Sequence, residues 1–239
     1  MTPIVLALAA GAANLAGALV VVRGSSRGTR TIEGAIAFGA GFMVSVVMLS
    51  MLPEAFATGA GAAPWVLGGF LAVHLAQHVL TPHFHFGEET HHVTPGASTS
   101  AVIGLSLHTF FDGVAIASGL MVSPGLGALL FLAVFLHKLP EGLTVASLVL
   151  ASGQSKARAI GLALVPAAAT ALGALLTTGS TRLQQHGLAV SAGVTLYVAA
   201  SNLIPEFQSK RGWAPFLAFF GGVLAFLGSN WLLLRYLGS

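Results

Sequence analysis

The sequence predicts an all-α integral membrane protein of eight transmembrane helices, and three observations carry that expectation. Hydrophobic residues make up 55% of the 239-residue chain and charged residues only 7%, with a mean hydropathy of +0.87. Soluble domains are about 25% charged, so this composition excludes an ordinary globular fold. Apolar runs of about 20 residues, the length that crosses a bilayer core, recur eight times between charges, Gly and Pro. The Lys and Arg residues fall mainly in alternate loops. There is no cysteine, so disulfides and thiolate metal sites are excluded and any metal chemistry must use imidazole and oxygen. The net charge of +3 is scattered over short loops, which reads as a topology signal and excludes a nucleic-acid surface. Residues 1–239 are expected to form a single transmembrane domain.

Taken in order, the first span covers 3–22. No basic residue precedes it and Arg23 follows it, so it reads as an uncleaved helix with a translocated N-terminus. The second, 31–54, contains Ser50 and closes on Leu52-Pro53-Glu54. The third, 62–82, carries His74 and His78 four residues apart, a spacing for helix-to-helix hydrogen bonding or for a metal contact. The loop that follows, 83–98, holds His83, His85, His91 and His92 with Glu88 and Glu89, and reads either as a low-affinity metal trap or as a solvated linker. Spans four and five, 99–121 and 125–151, are the central pair. The sixth is 157–178, the seventh, 187–207, contains Asn202 and ends on Ile204-Pro205-Glu206, and the eighth is 213–237. His186 stands alone and receives no role. On this topology one face collects Arg23, Arg27, Arg30, Lys156, Arg158, Lys210 and Arg211, and the other only Arg182 and Arg235. The bias places both termini on the non-cytoplasmic side and the His-rich loop in the cytoplasm.

The recurring aliphatic-Pro-Glu triplets close the second span from each end of the chain, in helices expected to run in opposite directions. They hint at inverted repeats of three helices flanking a central pair, although Pro-Glu is also common at helix ends. If so, Ser50, Glu54, Asn202 and Glu206 line a pathway; Glu54 and Glu206 also suit helix-end charges at the headgroups.

The central pair carries the chemistry. His108-Thr109-Phe110-Phe111-Asp112-Gly113 and His137-Lys138-Leu139-Pro140-Glu141-Gly142 each set a histidine and a carboxylate four residues apart, on one face of a helix. A carboxylate at the bilayer centre costs roughly 2.5 to 3.5 kcal/mol on insertion scales, so each needs a partner or a wet cavity. Facing one another, the pairs make a metal site of two nitrogens and two carboxylates; taken singly, each residue also suits a helix-helix hydrogen bond. Pro140 frees the carbonyl of Leu136 as a further oxygen, and Gly113 and Gly142 permit close helix approach. Lys138 admits two roles, a salt-bridge partner of Asp112 or Glu141, or the occupant of a second cation position.

Eight spans, a His-rich loop after the third, H-x-x-x-D-G in the fourth and H-x-x-P-E-G in the fifth together resemble the ZIP family of divalent metal transporters, in its bacterial branch. The resemblance implies a 3+2+3 helix arrangement in the cell (inner) membrane and transport of Zn²⁺ or a similar ion toward the cytoplasm. It also implies a primary site at His108, Asp112, His137 and Glu141. Two-metal members usually carry Asn after the first motif's His, a carboxylate after the second's, and an acid before the sixth-helix proline. Here those positions are Thr109, Lys138 and Val165. A second ion beside a fixed ammonium would meet too few anions, so one metal is expected, with Lys138 standing in for the other and partnered by Thr109 or a water.

The donor set suits Zn²⁺ first, and also Fe²⁺, Mn²⁺, Co²⁺ and Cd²⁺, over Mg²⁺ and Ca²⁺. Protonation of either His competes with metal, so moderate, pH-dependent affinity is expected. A proton-coupled carrier using a His/carboxylate relay is the alternative reading. An intramembrane metalloprotease is disfavoured because H-E-x-x-H is absent. Small-residue stretches such as Gly34 to Gly41 suit packing within a chain or in a homodimer.

Overall fold

The structure is a computed structural model that describes residues 2–24, 29–57, 61–79, 95–205 and 212–237. Eight helical rods are present: α1 (Pro3–Val22), α2 (Thr29–Val46, running through Val47–Met51 into Leu52–Ala57), α3 (Ala62–Val79), α4 (Pro95–Val122), α5 (Pro124–Ala151), α6 (Lys156–Gly179), α7 (Thr181–Tyr197, running on through Val198–Leu203) and α8 (Trp213–Leu237). No strand occurs among the described residues. Six of the eight are long and apolar enough, by length and composition, to cross a membrane; α3 and α7 are the exceptions. Large apolar side chains face outward along α3 (Leu67, Leu71, Leu75) and α8 (Leu217, Leu224, Leu227), where a bilayer can cover them.

The expected starting point of the seventh helix is corrected. The polar stretch Thr181 to His186 reads as a loop but is helical, because Ser180 caps it, accepting from the Leu183 N–H at 3.4 Å. Gln184 then donates to the Thr177 and Thr178 carbonyls at the end of α6, at 3.2 and 3.0 Å. Helix-end carbonyls left without water need such a donor.

Packing follows the 3+2+3 plan. Helix α1 packs on α5 and α6 on α4; α2 packs on α8 and α7 on α3; α1 meets α6 and α4 meets α5. Exchanging α1 with α6, α2 with α7, α3 with α8 and α4 with α5 maps these pairs onto one another, as an inverted repeat requires. Four of the seams are sealed by reciprocal glycines: Gly17 with Gly142, Gly113 with Gly173, Gly41 with Gly222, and Gly69 with Gly193. At every one of these, an added methyl group would run into a backbone carbonyl of the facing helix. In a membrane, where lipid is as apolar as Leu, such backbone-close seams supply the van der Waals contact that holds helices together. Gly41 therefore works within the chain, against α8.

The symmetry extends to local distortions. Both α2 and α7 widen into a π-helical turn, Val47–Met51 and Val198–Leu203, in which the Leu52 N–H reaches the Val47 carbonyl and the Ile204 N–H that of Ala199. Each turn lies just ahead of a proline, Pro53 or Pro205, whose missing N–H interrupts the regular ladder. Around Pro140 the helix stays regular, and Thr144 donates its hydroxyl to the Pro140 carbonyl at 3.0 Å.

Candidate metal centre

Helices α4 and α5 meet with their ligand faces together. His108, Asp112 and His137 are buried and Glu141 nearly so, and one donor atom from each lies within 4.8 Å of all the others. The pairing is crosswise. His137 Nε2 is 3.2 Å from Asp112 Oδ2 and His108 Nε2 is 3.3 Å from Glu141 Oε2, whereas His108 and Asp112, on the same helix, are 3.9 Å apart. Each imidazole thus faces the carboxylate of the other helix, and the two helices form one donor set.

The ring of His137 is held by its own helix. Its Nδ1 lies 2.8 Å from the Ala133 carbonyl oxygen, which can only accept, so Nδ1 carries the hydrogen. Its Nε2 lies within hydrogen-bonding geometry of Asp112 Oδ2 at 3.2 Å, so a doubly protonated ring donates to both oxygens, while the neutral ring presents an Nε2 lone pair that a cation there would take. His108 makes the same point differently: both ring nitrogens are buried without a hydrogen-bond partner among the described residues, the Glu141 oxygen being close but outside hydrogen-bonding geometry. A buried polar atom without a partner is costly, and a metal ion is a ready remedy.

Lys138 has no exposed surface. Its Nζ lies 2.9 Å from Asp112 Oδ2, 2.9 Å from Glu141 Oε2 and 3.1 Å from Oε1. Of the two roles left open by the sequence, the geometry is that of the salt bridge, and to both carboxylates at once. Thr109, named as a partner for Lys138 beside a bound metal, is fully buried and here donates to the Ser106 carbonyl at 3.1 Å.

A cavity of about 80 Å³ adjoins the cluster, lined among others by His108, His137, Glu141, Thr144, Asn202 and Leu203. Its lining comes from the first halves of α2 and α4, the middle and second half of α5 and the end of α7, which is the side of the cluster nearer the Lys- and Arg-rich loops. Thr144 was not singled out from sequence, though its position one turn beyond Glu141 on the ligand face is a legible signal. Asn202 lies on the cavity wall; Ser50 and Glu54 lie beyond the cluster toward the opposite face, outside this cavity. Glu206, His83, His85, His91 and His92 fall outside the described residues. His74 and His78 are exposed on α3, their rings 4.1 Å apart, and His186 stacks on Trp65 at 4.4 Å.

Fold and cluster together define a multi-pass helical membrane protein with a set of metal-ligand side chains buried at its centre. The family described as ZIP zinc transporter matches residues 88–230, and the chain belongs to that family. It is similar to the zinc transporter ZIP4 of Mus musculus, 33% identical over 139 residues, covering 56% of this chain and 21% of that protein. It is 31% identical over 126 residues to the zinc transporter ZupT of Salmonella heidelberg, covering 48% of this chain and 49% of that one. With the zinc transporter foi of Drosophila melanogaster it shares 29% identity over 142 residues, 58% of this chain and 20% of that protein. The matched region thus spans from about a fifth to about half the length of these relatives.

Proposed function

We propose that the protein carries a divalent transition-metal ion, Zn²⁺ first and then Fe²⁺, Mn²⁺, Co²⁺ or Cd²⁺, across the cell membrane toward the cytoplasm, through one site between α4 and α5. The observation that carries this reading is the convergence of His108, Asp112, His137 and Glu141 beside a cavity that three of them line. Two imidazoles and two carboxylates match the preference of borderline ions and fall short of the six to eight oxygens that Ca²⁺ takes. The zinc transporters to which the chain is similar support zinc as the cargo.

Direction rests on charge. The cavity lies on the side of the cluster nearer the loops that carry most of the Lys and Arg residues, the cytoplasmic side by the positive-inside rule, with both termini opposite. A cavity on that side supports release of the ion inward.

Uptake of Zn²⁺ into proteoliposomes, with Mg²⁺ as the control ion, tests the proposal. The unmodified protein is expected to carry Zn²⁺ and not Mg²⁺, and His108→Ala and Glu141→Ala to fall to background while remaining folded. Equal Zn²⁺ uptake by all three overturns the site, and uptake by none overturns the function.

A further inference from the structure

We infer that Lys138 is the counter-cation of the unloaded site: its ammonium holds the carboxylate oxygens that the metal takes, leaves them on loading and returns on release, so that the empty carrier can recross the membrane. The inference rests on the metal-transport reading above and assigns a specific residue to the half of the cycle in which no metal is present.

The geometry is the first argument. Asp112 Oδ2 and Glu141 Oε2, the oxygens nearest the two imidazoles, are the same atoms that the Lys138 ammonium contacts at 2.9 Å. A zinc ion bound to those oxygens would stand at about 2.0–2.2 Å from each. An ammonium and a divalent ion on the same two oxygens would stand only a few ångströms apart, and two cations so close in a dry interior repel strongly. Loading therefore displaces the ammonium, for which the flexible four-carbon stem of Lys is suited where the planar fork of Arg is not.

The second argument is what the ammonium cannot do. Its three N–H donors are directed at Asp112 Oδ2 and at Glu141 Oε1 and Oε2, which leaves none for an imidazole lone pair, whereas a metal ion accepts both kinds of ligand. With Lys138 in place the carboxylates are fully paired, yet His108 has neither ring nitrogen hydrogen-bonded. The incoming metal gains both imidazoles in addition to the oxygens, and this lets it win the exchange. The ammonium returns when the metal leaves, because two adjacent buried carboxylates with no cation are strongly unfavourable. The site is net negative by one formal charge empty and net positive by one loaded, with the lysine counted in both.

A structural role for Lys138, as a brace between α4 and α5, makes different predictions. The test uses Lys138→Met, which keeps length and removes charge, and Lys138→Arg, which keeps charge. Lys138→Gln provides a second neutral side chain should the Met variant fail to fold. Three quantities are read: Zn²⁺ affinity and stoichiometry in detergent, net Zn²⁺ uptake into metal-free proteoliposomes, and exchange of labelled Zn²⁺ into vesicles preloaded with Zn²⁺. Exchange never requires the empty carrier to cross.

The neutral variants are expected to bind one Zn²⁺ about tenfold more tightly or better. They should retain exchange and lose net uptake, with Lys138→Arg closer to the unmodified protein in net uptake. Unchanged or weaker affinity in a folded neutral variant overturns the inference, as does parallel loss of exchange and net uptake, which marks a brace. Two ions bound by the neutral variants also overturn it, because Lys138 would then stand in a separate metal position. If the unmodified protein neither binds nor carries Zn²⁺, the transport reading falls first and this inference with it.

Discussion

In α2, Val47 and Met51 of the widened turn join a large apolar cluster with Phe42 and Val46, against Leu126, Leu129 and Leu130 of α5 and Leu188 and Ala192 of α7, while Met48 and Leu49 face outward. Its counterpart in α7, Val198–Leu203, instead has Val198, Asn202 and Leu203 on the wall of the cavity beside the metal ligands. The same sequence interval separates Pro53 from Pro205, Gly41 from Gly193 and Ser50 from Asn202. Two segments of the same design thus have different surroundings, one set against an apolar cluster and one beside a cavity. The difference lies in what packs on them, not in how they are built.

The largest expected effect tests whether the two halves are equivalent as scaffold. Gly41→Ala and Gly193→Ala each drive a methyl group into a facing carbonyl, Phe219 in one case and Val66 in the other. Overpacking of this kind costs about 1–3 kcal/mol, so both variants should lower the thermal unfolding midpoint in detergent by similar amounts. A loss confined to one of them would break the equivalence.

Next in size is the contrast in access. The chain is free of cysteine, so single cysteines report cleanly. Leu203→Cys should react with a membrane-impermeant thiol reagent applied from the side of the Lys- and Arg-rich loops about tenfold faster, or more, than Met51→Cys, whose side chain is buried. Comparable rates for both would mean that the two turns are equally accessible.

The smallest effect concerns the polar residues that the interval pairs. Asn202→Ala should reduce Zn²⁺ uptake by a factor of roughly three to ten, with stability little changed, through the loss of one polar group on the cavity wall. Ser50→Ala should reduce it less. Normal uptake in both variants would remove these residues from the pathway and leave the ligand cluster to act alone.

Much of this architecture was legible in the sequence because membrane helices advertise themselves by length and apolarity, and because i, i+4 spacing fixes a face. The pairs His108/Asp112 and His137/Glu141 could be set facing one another on that ground. What could not be read was their rotation about the helix axes, which decides that each histidine meets the other helix's carboxylate. The same rotation brings Asp112 within reach of Lys138, so only the three-residue spacing from Lys138 to Glu141 hinted at the ammonium's place. The π-helical turns were equally hidden, since a shift from i−4 to i−5 bonding leaves no compositional mark beyond the proline. The polar opening of α7 reads as a loop because what holds it is the Ser180 cap and the Gln184 bonds to Thr177 and Thr178 carbonyls of a different helix.

Between the two ligand-bearing helices stands a single residue outside a helix. Ser123 ends α4, its N–H bonded to the Gly119 carbonyl at 3.0 Å, and begins α5, its hydroxyl accepting from the Leu126 N–H at 3.1 Å. So short a joint leaves almost no loop entropy to be lost when the donors gather. An ion bound between these helices would therefore meet donors whose relative placement is already set by a single cap residue.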